Sequence, residues 1–312
     1  MTATQGTIAV CVATYKRPLG LRQLLGSLAA LSTPVGWSIE VIVVDNDEEA
    51  SARTTVQQVE SETSMTIVYD VEPRQGIPLV RNRGTELAIE RGATWLAYID
   101  DDERAEPAWL VELLATANRH DAPIVAGRVI PEYEAEPPDW VIEIGTFARK
   151  TWPDGHELDY AITASVLLDR EILGDDTRPF DERLRFSGGS DLQLFNRLYR
   201  DGHKIVFSPT ALSHELIPQS RMNTGWALKR QYRRGLNRST TLRLLDFRPR
   251  SILKRLIAGA VALMMGAGLW AAGLWRGSTA RLKGRLRMAY GRGLLMGLTG
   301  RKYDEYKVVH GG

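Results

Sequence analysis

An acidic run directly after an apolar stretch is the strongest chemical signal in this chain of 312 residues. Residues 98–103 read YIDDDE, so four carboxylates stand side by side, beginning with Asp100, Asp101 and Asp102. Neighbouring carboxylates raise one another's pKa, and a divalent cation removes that electrostatic cost. Because Mg²⁺ and Mn²⁺ prefer carboxylate oxygens and leave positions open for phosphate, we predict a metal and nucleotide site here. A solvated acidic turn that caps a helix is the alternative.

Asp45 and two arginines are further candidates for contacts with a nucleotide. Asp45 ends the apolar run 42–45, where a carboxylate can accept hydrogen bonds from a base or ribose; a turn residue is the alternative. Residues 76–84 place Arg81 and Arg83 in the first turns of a predicted helix. These arginines can face a diphosphate, or they can form a solvated helix face.

Asp191 and His214 are candidates for proton transfer and metal binding. Asp191 follows the glycine-containing segment 187–190 and precedes an amphipathic helix. Glycines let a backbone approach a ligand closely, so Asp191 can act as a catalytic base, although aspartate also favours the helix N-cap. His214 follows a predicted strand and can supply a nitrogen ligand, whereas a lone histidine is more often structural.

Alternating strands and helices must position these residues. The predicted strands are 7–14, 39–45, 65–70, 95–100, 124–130 and 204–207, and the predicted helices are 19–31, 51–62, 79–91, 107–119 and 192–200. This alternation predicts a Rossmann-like α/β fold: a mainly parallel, twisted sheet with helices on both faces. Ligands bind beyond the carboxyl ends of such strands. Thr14, Asp45 and Asp100 each end a strand, so we expect them at one edge.

Charge is distributed unevenly along the chain, although the net charge is only +2. Residues 1–250 carry a net charge of −7, and residues 251–312 carry +9. A basic tail suggests an anionic partner, either nucleic acid or membrane lipid. The single cysteine, Cys11, excludes an internal disulfide, and the first five residues resemble no signal peptide, so a reducing, cytoplasmic setting is expected.

The basic tail contains a segment suited to a membrane. Residues 257–275 lack any charge, and residues 276–302 hold eight basic and no acidic residues among apolar ones. The uncharged stretch is only borderline for a span of about 20 residues. We therefore expect one helix in or on the lipid leaflet, followed by a basic amphipathic helix on its surface. A single membrane span is the alternative, and the uncharged stretch argues against nucleic acid as the partner.

Taken in order, these motifs resemble family 2 glycosyltransferases, which have the GT-A fold, and in particular bacterial exopolysaccharide enzymes related to the succinoglycan pathway. The resemblance covers roughly residues 6–240. The matching segments are 12–18, 43–46, 81–84, 99–102, 180–181 and 188–191, together with His214. Where the family often has Glu-Asp, this chain has Ser190 and Asp191, which leaves the base in place but puts acceptor recognition in doubt.

The resemblance also implies roles for individual residues. Asp191 is the implied base that deprotonates the acceptor hydroxyl. The implied ligands of Mn²⁺ or Mg²⁺ are Asp100, Asp102 and His214. The implied contacts to the nucleotide sugar are made by Thr14, Tyr15, Arg17, Asp45, Arg81, Asp100 and Asp101.

The resemblance implies an inverting glycosyltransferase with two regions, a catalytic domain over 1–225 and a membrane-associated helical region over 226–312. It is expected to move one sugar from a nucleotide sugar, with UDP as the expected nucleotide, to a lipid-linked saccharide. Since the motif Gln-x-x-Arg-Trp of processive synthases is absent, single addition is expected. The expected location is the cytoplasmic face of a bacterial inner membrane, on an anionic lipid surface and without nucleic acid. A non-catalytic membrane scaffold and a sugar-phosphate nucleotidyltransferase are the alternatives; the oligomeric state is not indicated.

Overall fold

The computed structural model of the chain describes residues 6–300, in which strands and helices alternate through the first half and helices alone form the end. The strands are β1 (Gly6–Thr14), β2 (Trp37–Asp45), β3 (Ile67–Val71), β4 (Trp95–Asp100), β5 (Glu103–Ala105), β6 (Ile124–Tyr133), β7 (Glu157–Leu158), β8 (Ser165–Asp169) and β9 (Ile205–Ile217). The helices are α1 (Pro18–Ala29), α2 (Arg53–Glu62), α3 (Ile77–Glu90), α4 (Trp109–His120), α5 (Asp139–Ile144), α6 (Ser190–Arg200), α7 (Thr224–Leu245), α8 (Pro249–Arg276) and α9 (Ser278–Leu298).

These strands form one sheet in the order β3-β2-β1-β4-β8-β6-β9-β5, with β7 paired to β9. The four strands from β3 to β4 run parallel to one another, and β6 and β9 are parallel to each other. Strand β8 is antiparallel to both of its neighbours, β4 and β6. The predicted α/β fold with a mainly parallel sheet is confirmed.

Apolar side chains cover both faces of the sheet because neighbouring residues of a strand point to opposite sides. In β1, Ile8 and Val10 pack in one buried cluster with α1, α2 and α4. Ala9 and Cys11 of the same strand pack in a second cluster with α3 and α6. Helices therefore lie on both faces, and polar side chains are left to the strand ends.

The strand ends meet at one edge of the sheet, as the sequence predicted. Thr14, the last residue of β1, is paired with Asp45 of β2, and Ala13 is paired with Asp100 of β4. Because β1, β2 and β4 are parallel and end at nearly the same level, the loops that follow them lie side by side.

The sheet departs from the prediction chiefly at two longer strands, and the short strands β5 and β7 were also not predicted. Strand β8 was not predicted, yet it lies between β4 and β6 with most of its residues buried. Strand β9 was predicted to end at residue 207 but continues to Ile217. The pairing with β6 shifts register there, since Phe207 faces Ala126 while Leu212 faces Arg128. A bulge of this kind accommodates Pro209 within the strand.

The last three helices pack through glycines. A Cβ atom on Gly266 of α8 would lie 2.8 Å from the Gly284 carbonyl oxygen of α9, and one on Gly291 of α9 would lie 2.9 Å from the Gly259 oxygen. Helices α8 and α9 therefore form a tight antiparallel pair. Helix α7 lies almost entirely in the region 226–312 that was expected to be helical, although its bounds were not predicted, and it packs on α9 just as closely. The predicted division after residue 225 falls in the first turn of α7 and stays a prediction.

Helix α8 exposes most of its apolar surface. Among residues 6–300 it is the one helix that is long and apolar enough to cross a membrane, with a mean hydropathy of 1.8 and 22% of the most apolar window buried. The predicted uncharged segment 257–275 lies within α8, and the predicted amphipathic segment 276–302 contains α9; its last two residues lie outside the described range. The first five residues, which resemble no signal peptide, also lie outside the described range.

Candidate active site

A cleft of about 1060 Å³ opens at the carboxyl edge of the sheet. The turns after β1 and β4 form one wall, and the segment that leads into α6 together with α7 forms the other. Thr14, Tyr15, Arg17, Arg81, Asp100, Asp101, Asp102 and Asp191 all line this cleft. The structure thus brings together eight of the ten residues to which the resemblance gave a role.

Asp101 is the buried member of the acidic turn. Its carboxylate accepts hydrogen bonds from the Thr14 hydroxyl and from Arg17 Nη1, both at 2.9 Å. Burial raises the pKa of Asp101 to about 6, and the nearby charge of Arg17 opposes that rise. Because both of its carboxylate oxygens accept hydrogen bonds, Asp101 holds the turn after β4 against the end of β1 and is not free to bind a metal.

Asp100 and Asp102 present their carboxylates to the cleft. Arg81 Nη2 lies 2.8 Å from Asp100 Oδ1. Arg17 Nη1 and Arg221 Nη2 lie 3.1 and 3.3 Å from Asp102 Oδ2. The side chains of Asp100 and Asp102 remain 36% and 23% exposed, so a ligand in the cleft can reach both of them.

This pair of carboxylates suits a cation that is shared with phosphate oxygens. No group of three or more His, Cys, Asp and Glu side chains set to hold a metal occurs between residues 6 and 300. Mg²⁺ binds through one or two carboxylates plus substrate phosphates and water, and it does not need a cage made only of protein groups. The donor set therefore fits a metal that binds together with a nucleotide diphosphate.

His214, which the resemblance implied as a metal ligand, does not line this cleft. Its Nε2 lies 2.8 Å from Glu106 and its Nδ1 lies 2.9 Å from Glu132, on the side of β9 away from the cleft. The next residue, Glu215, lines the cleft instead, because alternate residues of a strand face opposite sides. A metal-binding role for His214 is therefore not proposed.

Asp45 also lies outside the cleft lining. It is 0% exposed, and its carboxylate accepts hydrogen bonds from the amides of Asp47 and Ala52 and from the Tyr69 hydroxyl, at 2.8–3.0 Å. Burial raises the pKa of Asp45, and the backbone hydrogen bonds oppose the rise. In this structure Asp45 holds the loop after β2, and its neighbour Asn46 reaches the cleft.

The arginine motif of α3 divides into one cleft residue and two structural residues. Arg81 faces the cleft, while Arg83 pairs with Asp70 at the end of β3. Asn82 donates a hydrogen bond to the Phe180 carbonyl and accepts one from the Phe180 amide, both at 2.9 Å. The motifs at 81–84 and 180–181 are thus joined directly, and this contact holds the segment before α6 against α3.

Asp191 stands in the first turn of α6 and lines the cleft. The N-cap is Gly189, with φ 86°, so the interpretation of Asp191 as an ordinary cap does not hold. One carboxylate oxygen accepts a 2.7 Å hydrogen bond from the Leu192 amide. No hydrogen bond to the other carboxylate oxygen occurs among the described residues, so that oxygen can accept a proton from a ligand in the cleft.

A buried cluster of ion pairs on the cleft wall was not predicted from the sequence. Arg149 Nη2 lies 2.7 Å from Glu215 and 3.8 Å from Glu103. Burial raises the pKa of Glu103 well above its usual range, against the effect of Arg149. Burial would also raise the pKa of Glu215, but Arg149 and Arg230 hold it below the ordinary value. The fourth acid of the YIDDDE run was the available signal for Glu103, and no sequence motif pointed to Arg149.

Comparison with known proteins gives a consistent result. Residues 9–175 match the family described as Glycosyl transferase family 2. The chain is 36% identical over 230 residues to the succinoglycan biosynthesis protein ExoM of Rhizobium meliloti (strain 1021), covering 73% of this chain and 72% of that protein. It is 25% identical over 209 residues to the glucosyl-dolichyl phosphate glucuronosyltransferase of Haloferax volcanii, covering 64% of this chain and 65% of that relative, just under two thirds.

Among solved structures, the mannosyltransferase PcManGT from Pyrobaculum calidifontis, in complex with GDP-Man and Mn²⁺, superposes with a TM-score of 0.59 at 17% identity. The superposition covers 94% of this chain and 86% of PcManGT. This likeness concerns the fold, and it confirms the predicted GT-A architecture.

Proposed function

This chain belongs to glycosyl transferase family 2, and from that premise we propose that its cleft moves one sugar from a nucleotide sugar to a lipid-linked saccharide. The proposal depends chiefly on one observation: Asp100 and Asp102 line the same cleft as Asp191. Charge-binding groups and a base must both reach the reacting sugar in a transfer reaction. Family membership makes the chain a glycosyltransferase, so neither the nucleotidyltransferase nor the non-catalytic scaffold is retained.

We assign the donor diphosphate to the end of the cleft formed by the acidic turn. Asp100 and Asp102 would hold Mn²⁺ or Mg²⁺, which supplies positive charge to the departing diphosphate. Arg81 and Arg17 line the same end and bring further positive charge to the oxygens of the leaving group. UDP remains the proposed nucleotide, although the structural relative PcManGT was solved with a GDP sugar.

Asp191 is the proposed base. A hydroxyl of the acceptor would donate its proton to the free carboxylate oxygen while it attacks the anomeric carbon from the side opposite the diphosphate. Such a direct displacement inverts the anomeric carbon, so an α-linked nucleotide sugar gives a β-glycoside. Tyr15 and Gln75, hydrogen-bonded to each other at 2.7 Å, would border the nucleotide.

We propose that the acceptor is attached to a lipid and that the C-terminal helices rest on an anionic membrane surface. Helix α8 exposes a row of large apolar side chains, from Leu253 through Ile257, Met264 and Leu274 to Trp275. Basic residues of α9 can contact anionic headgroups, each contributing about 1 kcal/mol near the surface. The named acceptor of the Haloferax relative carries a lipid phosphate, and ExoM is named for succinoglycan biosynthesis, which supports a role in surface-glycan synthesis. The cytoplasmic face of the membrane is the proposed location.

A panel of nucleotide sugars tests this function. The purified full-length chain is mixed with UDP-, GDP- and TDP-linked sugars, with Mn²⁺ or with EDTA, and nucleotide release and thermal stabilisation are measured. We expect one nucleotide class to stabilise the protein and to be hydrolysed slowly in the presence of metal. The proposal fails if no nucleotide sugar of the panel either stabilises the protein or is consumed.

A further inference from the structure

Helix α7 presents a row of arginines to the cleft, on the same wall as Asp191. Arg230, Arg234 and Arg238 follow at intervals of four residues, and all three line the cleft. They extend over about 12 Å of helix, given a rise of about 1.5 Å per residue. Like charges at this spacing destabilise a helix, so the row is unfavourable unless an anion binds it.

Arg230 is held in place by aromatic rings rather than by a carboxylate. Its guanidinium group lies 5.3 Å from the Phe147 ring centroid and 5.1 Å from that of Trp226. Burial lowers the pKa of Arg230 to about 10, and the charge of Glu215 only partly compensates. A cation that is desolvated and stacked in this way is positioned in advance for an anionic ligand.

The cleft therefore contains two kinds of arginine. Arg17, Arg81 and Arg221 pair with the acidic turn at 2.8–3.3 Å. In the described part of the chain, no carboxylate lies within ion-pair distance of Arg230, Arg234 or Arg238. The first group shares its charge with the carboxylates of the acidic turn, whereas the α7 row has no ion-pair partner among the described residues and can bind a second anion.

The position of α7 relates this row to both the base and the membrane helices. A Cβ atom on Gly189 would lie 3.0 Å from the Asn237 side chain, so α7 contacts the turn that leads to Asp191. A Cβ atom on Gly293 of α9 would lie 2.0 Å from the Tyr232 carbonyl oxygen. Only glycine fits there, and α7 is therefore packed backbone to backbone against α9, between the base and the membrane-facing pair.

We propose that Arg230, Arg234 and Arg238 bind the diphosphate that joins the acceptor saccharide to its lipid. This inference rests on the proposed function, because it presupposes a transferase with a lipid-linked acceptor. Such an acceptor consists of a lipid, a diphosphate and a saccharide in that order. In the protein, α8 and α9 would contact the lipid, α7 the diphosphate, and Asp191 the saccharide. Guanidinium groups bind phosphate oxygens through paired hydrogen bonds, which suits a ligand with two phosphates.

Vesicle binding tests this assignment. Full-length protein is floated with phosphatidylcholine vesicles that contain either polyprenyl diphosphate or phosphatidylglycerol at equal charge. The test variant is the double substitution Arg234→Gln with Arg238→Gln, two exposed residues whose replacement leaves the core intact. The matched control is Lys229→Gln, an exposed residue of the same helix outside the cleft lining.

We expect wild type and the Lys229→Gln control to prefer polyprenyl diphosphate over phosphatidylglycerol by at least about tenfold, an energy of about 1.4 kcal/mol. The double variant should lose this preference while it binds UDP with Mn²⁺ as tightly as wild type. Equal preference in the double variant and the control would overturn the inference. A loss of UDP affinity as large as the loss of vesicle binding would assign the row to the donor instead.

The wild-type protein separates this inference from the proposed function. If it consumes a nucleotide sugar but does not distinguish polyprenyl diphosphate from phosphatidylglycerol, the transferase assignment stands and the diphosphate site is wrong. If it consumes no nucleotide sugar at all, the proposed function itself fails, and the inference fails with it.

Discussion

Replacing Asp191 by asparagine separates its chemistry from its structural role. The side chain keeps its size and retains an oxygen that can accept the 2.7 Å hydrogen bond from Leu192. Since Gly189 is the N-cap of α6, no cap is lost. The variant loses only the favourable charge near the helix N-terminus, about 0.3–1 kcal/mol. For a chain of this size the melting temperature should fall by no more than about 2–4 °C.

The effect on sugar transfer should be far larger than the effect on stability. A positioned general base contributes about 10²–10⁴-fold in rate. That range corresponds to about 2.7–5.4 kcal/mol of transition-state free energy. We therefore expect the rate of sugar transfer by Asp191→Asn to fall by about 10²–10⁴-fold, while the dissociation constant of the donor with Mn²⁺ stays within about threefold of wild type, because the donor is bound by the acidic turn.

The assay follows transfer of a labelled sugar at saturating donor, with donor affinity measured by titration in parallel. Asp201→Asn, an exposed aspartate at the other end of α6, is the matched control and should transfer at the wild-type rate. If Asp191→Asn transfers sugar within about threefold of Asp201→Asn, then Asp191 is not the base, and the reasoning from its position in the cleft is refuted.

Three other predictions follow from the structure. Asp102→Asn should abolish transfer and weaken binding of nucleotide with Mn²⁺, because one of two accessible carboxylates at the acidic turn is neutralised. Turnover measures the transfer, and titration measures the binding. Gly266→Ala should lower the free energy of unfolding in detergent by about 1–3 kcal/mol, because its Cβ would lie 2.6 Å from Met288. A cysteine at Gly312, outside the described residues, should escape an impermeant thiol reagent in intact cells and react once the membrane is opened.

Each of these experiments has a control or a contradicting result. Undiminished metal-dependent turnover in Asp102→Asn would remove the acidic turn from the mechanism. Gly268→Ala, where no atom lies within 4 Å of the new Cβ, should not destabilise the helix pair, and equal effects at both glycines would contradict close packing. The native Cys11 should not react with the thiol reagent, since burial raises the pKa of its thiol to about 12. Labelling of the added cysteine in intact cells would show that the tail crosses the bilayer.

Much of the sheet could be predicted from periodicity, and the failures have physical reasons. Strands β1, β2 and β4 were found because each is a continuous apolar run that ends in a polar residue. Strand β8 was missed because it follows a long irregular segment rich in proline and aromatic residues. Helix α7 lies in a region expected to be helical, but its bounds were not predicted because its many arginines interrupt the apolar pattern of its buried residues, which include Ala227, Leu236 and Leu242.

Sequence order predicted which residues meet at the cleft better than it predicted which way they face. Asp100, Asp102 and Asp191 reach the cleft, since strand ends and helix starts gather at one edge of a parallel sheet. The strand before His214 was identified, but neither the end of that strand nor the side of the sheet that His214 faces was predicted. Both depend on the bulge around Pro209. Asp45 was placed at the correct strand end, but its hydrogen bonds to the following loop could not be read from one sequence.

Sugar transfer to lipid tests the central claim most directly. Full-length protein is mixed with each labelled nucleotide sugar and with membranes that contain its lipid-linked acceptors, and label is counted in the organic phase with Mn²⁺ or with EDTA. The account predicts that one donor delivers its sugar to the lipid fraction and that EDTA stops the transfer. A donor that is consumed at the same rate with EDTA, or a panel in which no label reaches lipid, would contradict it.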